Sequence, residues 1–268
     1  VPIYTDFYWE SGNSEWAGDK WATTDDDSNL VNLPTSGTVN VIFNDSETAT
    51  VTIGDSVSIS SMRVEAGTYT FAGNANSRIE IDGSLTVKDG ATAAIQTGLS
   101  AASINVAGTL SLTGDIEVPS VVIDGTGELN LSNTTIDSTM AITNNGTLNI
   151  SDSTIESALD NNNIVNLSGA INLQGIAGTP GAETIPTASN GYATVTTTYT
   201  VVSGGTSSGS GVTDWQLDGQ SVDGATDFSN GVLSVTTSGT VYYVTVDEVT
   251  YDRGSDFAGA TDIALNGG

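Results

Sequence analysis

From Thr38 onward, apolar and polar residues alternate. Val39, Val41 and Phe43 lie two apart, as do Val51 and Ile53, then Val57 and Ile59. Successive side chains of a strand point to opposite faces, so a period of two predicts strands with one buried face. No long stretch places apolar groups at the i, i+3, i+4, i+7 spacing of an amphipathic helix.

A repeat emerges further along. Gly83-Ser-Leu-Thr-Val, Gly108-Thr-Leu-Ser-Leu, Gly127-Glu-Leu-Asn-Leu, Gly146-Thr-Leu-Asn-Ile and Gly169-Ala-Ile-Asn-Leu share one pattern, at intervals of 25, 19, 19 and 23 residues. A period of this size suits one turn of a β-solenoid, whose coils bury their apolar face only by stacking. In that register Leu85, Leu110, Leu129, Leu148 and Ile171 are expected to stack inside. Thr86, Ser111, Asn130, Asn149 and Asn172 are expected outside, as a polar ladder with rungs ~4.8 Å apart.

The two ends read differently. Residues 1–37 hold Trp9, Trp16 and Trp21, three of the four tryptophans, followed by Asp25, Asp26 and Asp27. Such an aromatic group either seals the open end of a β-core or offers a stacking platform for carbohydrate. Beyond residue 176, Gly178-Thr-Pro-Gly marks a turn and residues 203–211 form a Gly/Ser-rich stretch. Strands are predicted at 193–203, 231–237 and 240–251. The expected fold is an all-β, right-handed parallel β-helix: an N-terminal aromatic cap over 1–37, a solenoid over 38–184 and a C-terminal β-region over 185–268. The last either continues the solenoid or forms a small β-sandwich.

Composition narrows the chemistry. Thirty-two acidic residues against 5 basic ones give a net charge of −27. Such a surface repels phosphate backbones and anionic membranes, and its self-repulsion points to a monomer. No run of ~20 apolar residues is present to span a bilayer as a helix. A chain beginning at Val1 reads as the mature form of an exported protein. With no His and no Cys, Ser-His-Asp and Cys-His catalysis and the usual zinc sites are excluded. No phosphate-binding loop occurs. Carboxylate acid–base chemistry and oxygen ligation of Ca²⁺ remain.

The N-terminal part resembles the autotransporter-associated β-strand repeat of bacterial surface proteins. The matching residues are Trp9, Trp16, Trp21 and Pro34, then Val39-x-Val41-x-Phe43, then Gly67-Thr-Tyr-Thr-Phe71. Tyr199-Thr-Val-Val-Ser203 is similar to strands near the end of such passenger domains. The resemblance implies a secreted or surface-displayed β-helix and no particular activity.

Two acidic sets are candidate sites. Asp137 and Glu156 each follow an isoleucine at the 19-residue repeat, and Glu117 lies 20 residues before Asp137, one residue out of phase. On adjacent coils these three carboxylates splay into water, share a Ca²⁺, or share a proton as a catalytic dyad. The aspartic-protease signature Asp-Thr/Ser-Gly is absent. Asp214, Asp218 and Asp223 are the Ca²⁺ candidates, and no other cofactor is expected. Trp9, Trp16 and Trp21 are the candidate ligand platform. Three functions fit: an adhesin-like module binding extracellular glycan or glycoprotein; a carboxylate-dependent hydrolase of mucin-like glycoproteins or polysaccharides; and a structural stalk or surface-layer component.

Overall fold

Short strands separated by tight corners are what β-branched and leucine-rich segments punctuated by Gly, Asn and Asp dictate. The computed structural model describes residues 4–10, 12–24, 30–33, 38–174, 191–217, 220–221, 226–229, 232–246 and 249–252, and no helix occurs among them. The chain winds into a parallel β-solenoid of about 7 turns.

Each coil contributes three walls. The first wall stacks Thr48–Ile53, Thr68–Gly73, Thr92–Gln96, Thr109–Thr113 and Glu128–Ser132 in parallel register. The second runs through Val57–Ile59 and the leading halves of Arg78–Val87 and Gly98–Val106 to Ile116–Glu117. The third takes Tyr4–Trp9, Thr38–Phe43, Ser61–Val64, the trailing halves of the same two long strands, Ser120–Ile123 and Ala141–Asn144. Long strands bend from one wall into the next, and their register slips at the bend, as between Ala101 and Ser103.

Inside the first wall, Tyr69, Ala93, Leu110, Leu129, Leu148 and Val165 lie in one column, each at most 1% exposed. Burial of one such leucine contributes about 2 kcal/mol relative to exposure. Outside the same wall runs an amide ladder. Asn130 Nδ2 donates to Ser111 Oγ (3.4 Å), Asn149 Nδ2 to Asn130 Oδ1 (2.7 Å) and Asn166 Nδ2 to Asn149 Oδ1 (2.8 Å).

The Gly-led motif is not one register, however. Residues 83–87 lie on the third wall, where Leu85 and Thr86 pair with Met62 and Arg63. Residues 169–173 lie on the second wall, where Ile171 and Asn172 pair with Ser153 and Thr154. Leu85 and Ile171 are core residues of other walls, and Thr86 and Asn172 stand outside the amide ladder. The motif marks any strand that follows a tight corner, so it recurs on all three walls.

The corners carry their own ladders. At the first corner, Gly114, Asn133, Asp152, Gly169 and Gly211 adopt positive φ on successive coils. At the corner leading back to the first wall, Asn144 and Asn161 are buried, and Asn144 Nδ2 donates to Asn161 Oδ1 at 2.6 Å. The amide of Asn161 serves the carbonyls of Asn163, Gly204 and Thr206, which satisfies the turn backbone of the next coil.

Solenoid pairing continues beyond residue 184. Thr206–Ser208 and Val212–Leu217 both add to Ile164–Leu173. Gly191–Ser203 ends on the third wall beside Leu159–Asp160, while the rest of it pairs antiparallel with Val232–Val246. Thr226–Ser229 and Val249–Asp252 complete that antiparallel sheet among the described residues.

Close backbone approach at the corners is testable with a matched pair. A Cβ on Gly127 would lie 2.1 Å from the Val106 carbonyl oxygen, whereas one on Gly125 meets nothing nearer than 3.9 Å. Gly127→Ala is expected to cost about 1–3 kcal/mol, and Gly125→Ala to stay within about 0.5 kcal/mol, by urea unfolding. Equal effects would show that the corner backbone yields.

Candidate functional site

On the second wall the parallel ladder is interrupted. Ile116–Glu117 pairs with Leu99 and Ser100 on one side, and Thr135–Ile136 pairs with Thr154 and Ile155 on the other. Among the described residues no strand pairing joins the two. Leu112 and Leu131 are paired on the first wall, yet the next inward residues are Ile116 and Ile136. The second coil therefore carries one more residue through the corner. Gly114 and Asn133 both turn in the left-handed region, so the excess residue lies between Asn133 and Ile136. Thr134 Oγ1 donates to the Gly114 carbonyl at 2.9 Å, so a side chain bridges where a backbone rung would lie.

This break opens a cleft of about 520 Å³ lined by Asp115, Glu117, Asn133, Asp137 and Glu156, with Thr134, Thr135, Gly114 and Ile116 as floor. The three carboxylates expected together from the repeat do face one space. Glu156 sits one rung from Asp137, its amide donating to the Ile136 carbonyl at 2.8 Å.

The electrostatics of the lining are uneven. Arg78, two coils away, donates from Nη1 to Asp115 Oδ2 (2.5 Å) and places Nη2 2.8 Å from Glu117 Oε2. It reaches that far because the intervening coil offers Gly98. A Cβ there would lie 3.2 Å from Arg78 Cγ and 3.3 Å from Nη1. Glu117 is thus partly neutralised, and its exposure makes the pair modest in energy. Asp137 is fixed differently. Its Oδ1 accepts from Thr139 Oγ1 (2.6 Å) and from the Thr139 amide (2.5 Å). The Thr139 hydroxyl, then the Thr139 and Met140 amides, hold the Asp137 carboxyl below the usual carboxylate range against a small desolvation penalty. Asp137 is ionised and oriented. Of the three arrangements open to this trio, a proton shared on Asp137 is the one these contacts oppose.

The other candidates fare differently. Trp9, Trp16 and Trp21 are 0, 4 and 0% exposed. Trp9 and Trp21 meet edge to face at 5.0 Å, Trp16 and Trp21 likewise at 5.0 Å, and all three pack on Phe43. No ring face is open to a sugar, so the stacking platform is withdrawn; burying these large surfaces in the core outweighs presenting them. Asp214 is half-buried and accepts from Gln216 Nε2 at 2.7 Å. Asp218 and Asp223 lie outside the described residues. Among the described residues no group of three or more acidic side chains is arranged to hold a metal ion.

Sequence reasoning missed Asp115, Arg78 and Thr139. The 20-residue step from Glu117 to Asp137 was the signal for the break, since a one-residue excess over the local 19-residue period has to leave the ladder at a corner.

Asp137 gives a pH prediction. A folded-state pKa below the unfolded value of 3.8 stabilises the fold above that pH and loses the effect as pH falls through the folded value. Asp137→Asn, which keeps the acceptor but not the charge, is expected to cost about 1 kcal/mol near neutrality. That difference should shrink on acidification below pH ~4 in parallel thermal melts. A pH-independent difference would remove the assigned role of the charge. Comparison of the chain with models of protein families, with curated proteins and with solved structures finds no match, so function is read from this site.

Proposed function

We propose that this chain is an exported, adhesin-like β-solenoid, secreted or displayed on the outer cell surface, that binds extracellular glycan or glycoprotein in the acidic cleft. The observation that carries the reading is the cleft itself: Asp115, Glu117, Asp137 and Glu156, from three successive coils, line one open space of about 520 Å³. Carboxylates accept strong hydrogen bonds from sugar hydroxyls and peptide amides. The Thr139 contacts and the Arg78 pairs fix three of the four, Asp137, Asp115 and Glu117, before any ligand arrives, which lowers the ordering cost of binding. The resemblance to surface-protein repeats and the net charge of −27 support an extracellular, nucleic-acid-free setting. A purely structural stalk gives no account of a cleft confined to one coil junction.

One observation favours hydrolysis as a second reading. Asp137 is held ionised, and Glu156 stands one rung away. Acid–base hydrolysis uses two carboxylates whose surroundings differ. Asp137 then serves as base or nucleophile and Glu156 as proton donor.

Both readings meet in one experiment. The full chain is incubated with a mucin-type glycoprotein at pH values between about 4 and 7, from the upper end of the ordinary carboxylate range to neutrality. Retention without fragmentation, weakened at least ~10-fold by Asp137→Asn with Glu156→Gln, is the expected result for binding. Release of fragments that stops in the same double variant identifies the hydrolase instead. Retention unchanged in the double variant moves the ligand away from the cleft.

A further inference from the structure

We infer that the binding site continues past the acidic cleft into a second subsite lined mainly by neutral amide and hydroxyl groups, and that its ligand is a neutral, hydroxyl-rich oligosaccharide lying along the solenoid axis. The inference rests on the glycan-binding reading above and narrows its ligand class.

A second cavity of about 260 Å³ adjoins the cleft and shares Gly114 and Asp115 with it as a common wall. Its lining comes from the corner loop at 74–77, from Arg78, from Gln96 to Gly98 and from Thr113. The two cavities span five successive coils, from the loop at 74–77 to Glu156. At ~4.8 Å per rung that is a groove ~19 Å long. Arg78 sits at the junction and lines the smaller cavity while its guanidinium pairs with Asp115 and Glu117.

The two halves differ in chemistry. The loop at 74–77 is locked from within: Ser77 Oγ donates to the Ile53 carbonyl at 2.9 Å and Asn74 Nδ2 to the Gly54 carbonyl at 3.0 Å. Gln96 and Thr113 line the same cavity from the next two coils, and no hydrogen bond among the described residues engages either side chain. An amide and a hydroxyl offer donors and acceptors together, which matches sugar hydroxyls. The other half offers four carboxylates, acceptors only, opposed by one guanidinium. Carboxylated or sulfated sugars are repelled there, because unmatched like charges across an interface cost far more than they gain. A polypeptide finds few side-chain pockets: Ala75 and Ile116 are the only apolar members of the two linings, and the unpaired strand edge beside the cleft is two residues long on each side.

The test uses the full chain and oligosaccharides released from a mucin, separated by anion exchange into a neutral pool and a sialylated and sulfated pool. Affinity for each labelled pool is measured at low and at physiological salt. The neutral pool is expected to bind. The acidic pool is expected to bind at least ~10-fold more weakly at low salt, with the gap narrowing as salt screens the cleft. Gln96→Ala and Thr113→Val, both outside the core, are each expected to weaken neutral-pool binding ~5-fold. Equal binding of the acidic pool overturns the inference. So does binding that depends on Asp137 and Glu156 but is indifferent to Gln96 and Thr113, or preference for the deglycosylated polypeptide. If intact mucin is retained but neither released pool binds, the inference fails and the binding function stands. If neither mucin nor glycan binds, both fail.

Discussion

Backbone hydrogen bonding between consecutive coils decides where every side chain of this protein sits. A coil of about twenty residues cannot bury its own apolar face, and stacking is the one route by which it does so. Stacking in parallel register then forces like positions into columns. On the first wall that yields the inner column from Tyr69 to Val165 and the outer amide ladder from Ser111 to Asn166. Neither column is chosen residue by residue; both follow from the ladder. The left-handed corner at Gly114, Asn133, Asp152 and Gly169 follows in the same way, because each coil turns at the same height.

The cleft is a local failure of that constraint. One extra residue between Leu131 and Ile136, compared with the span from Leu112 to Ile116, cannot be accommodated in a strict ladder. The coil keeps its inward isoleucine, since Ile136 is fully buried, and gives up the rungs beside it. Keeping core burial at the expense of backbone bonds is the expected outcome where the exposed groups remain in contact with water or a bridging hydroxyl. Thr134 supplies that hydroxyl. An opening in the wall thus arises from an insertion of a single residue, with the paired strands on either side holding its walls.

Part of this was readable in advance. The 19-residue steps at Gly108, Gly127 and Gly146 put Leu110, Leu129 and Leu148 in one column and Asn130 beneath Asn149, as found. Steps of 25 and 23 residues were not coils at all but moves from one wall to another, which is why Leu85 and Ile171 were misassigned. Short motifs report that a strand begins; only constant spacing reports on which wall. Glu117, Asp137 and Glu156 were found because an isoleucine anchors each one's position beside the core. Arg78 was not, since its partners lie two coils away and the path between them depends on Gly98 lacking a side chain. The tryptophans illustrate a limit of another kind. Their spacing suits a platform or a seal, and the burial of all three rings against Phe43 removes the platform.

Charge placement links the fold to the proposed ligand. Cations are scarce, and among the described residues Arg63, Arg78 and Lys88 stand against carboxylates, the last two across coils. Lys88 lies 2.7 Å from Glu65, Arg63 lies 3.5 Å from the same residue, and Arg78 faces Asp115 and Glu117. Positive charge therefore relieves the strongest cross-coil repulsions and does little to offset the net −27. Arg78 borders a cavity, and there it is already matched by two acids. Solvent in the acidic half of such a groove faces four carboxylates that only accept. A ligand that brings many hydroxyl donors and no negative charge is the one whose own desolvation this surface can compensate. That asymmetry between acceptors and donors, set by which residues the ladder turns outward, is the physical basis for reading the groove as a site for neutral glycan.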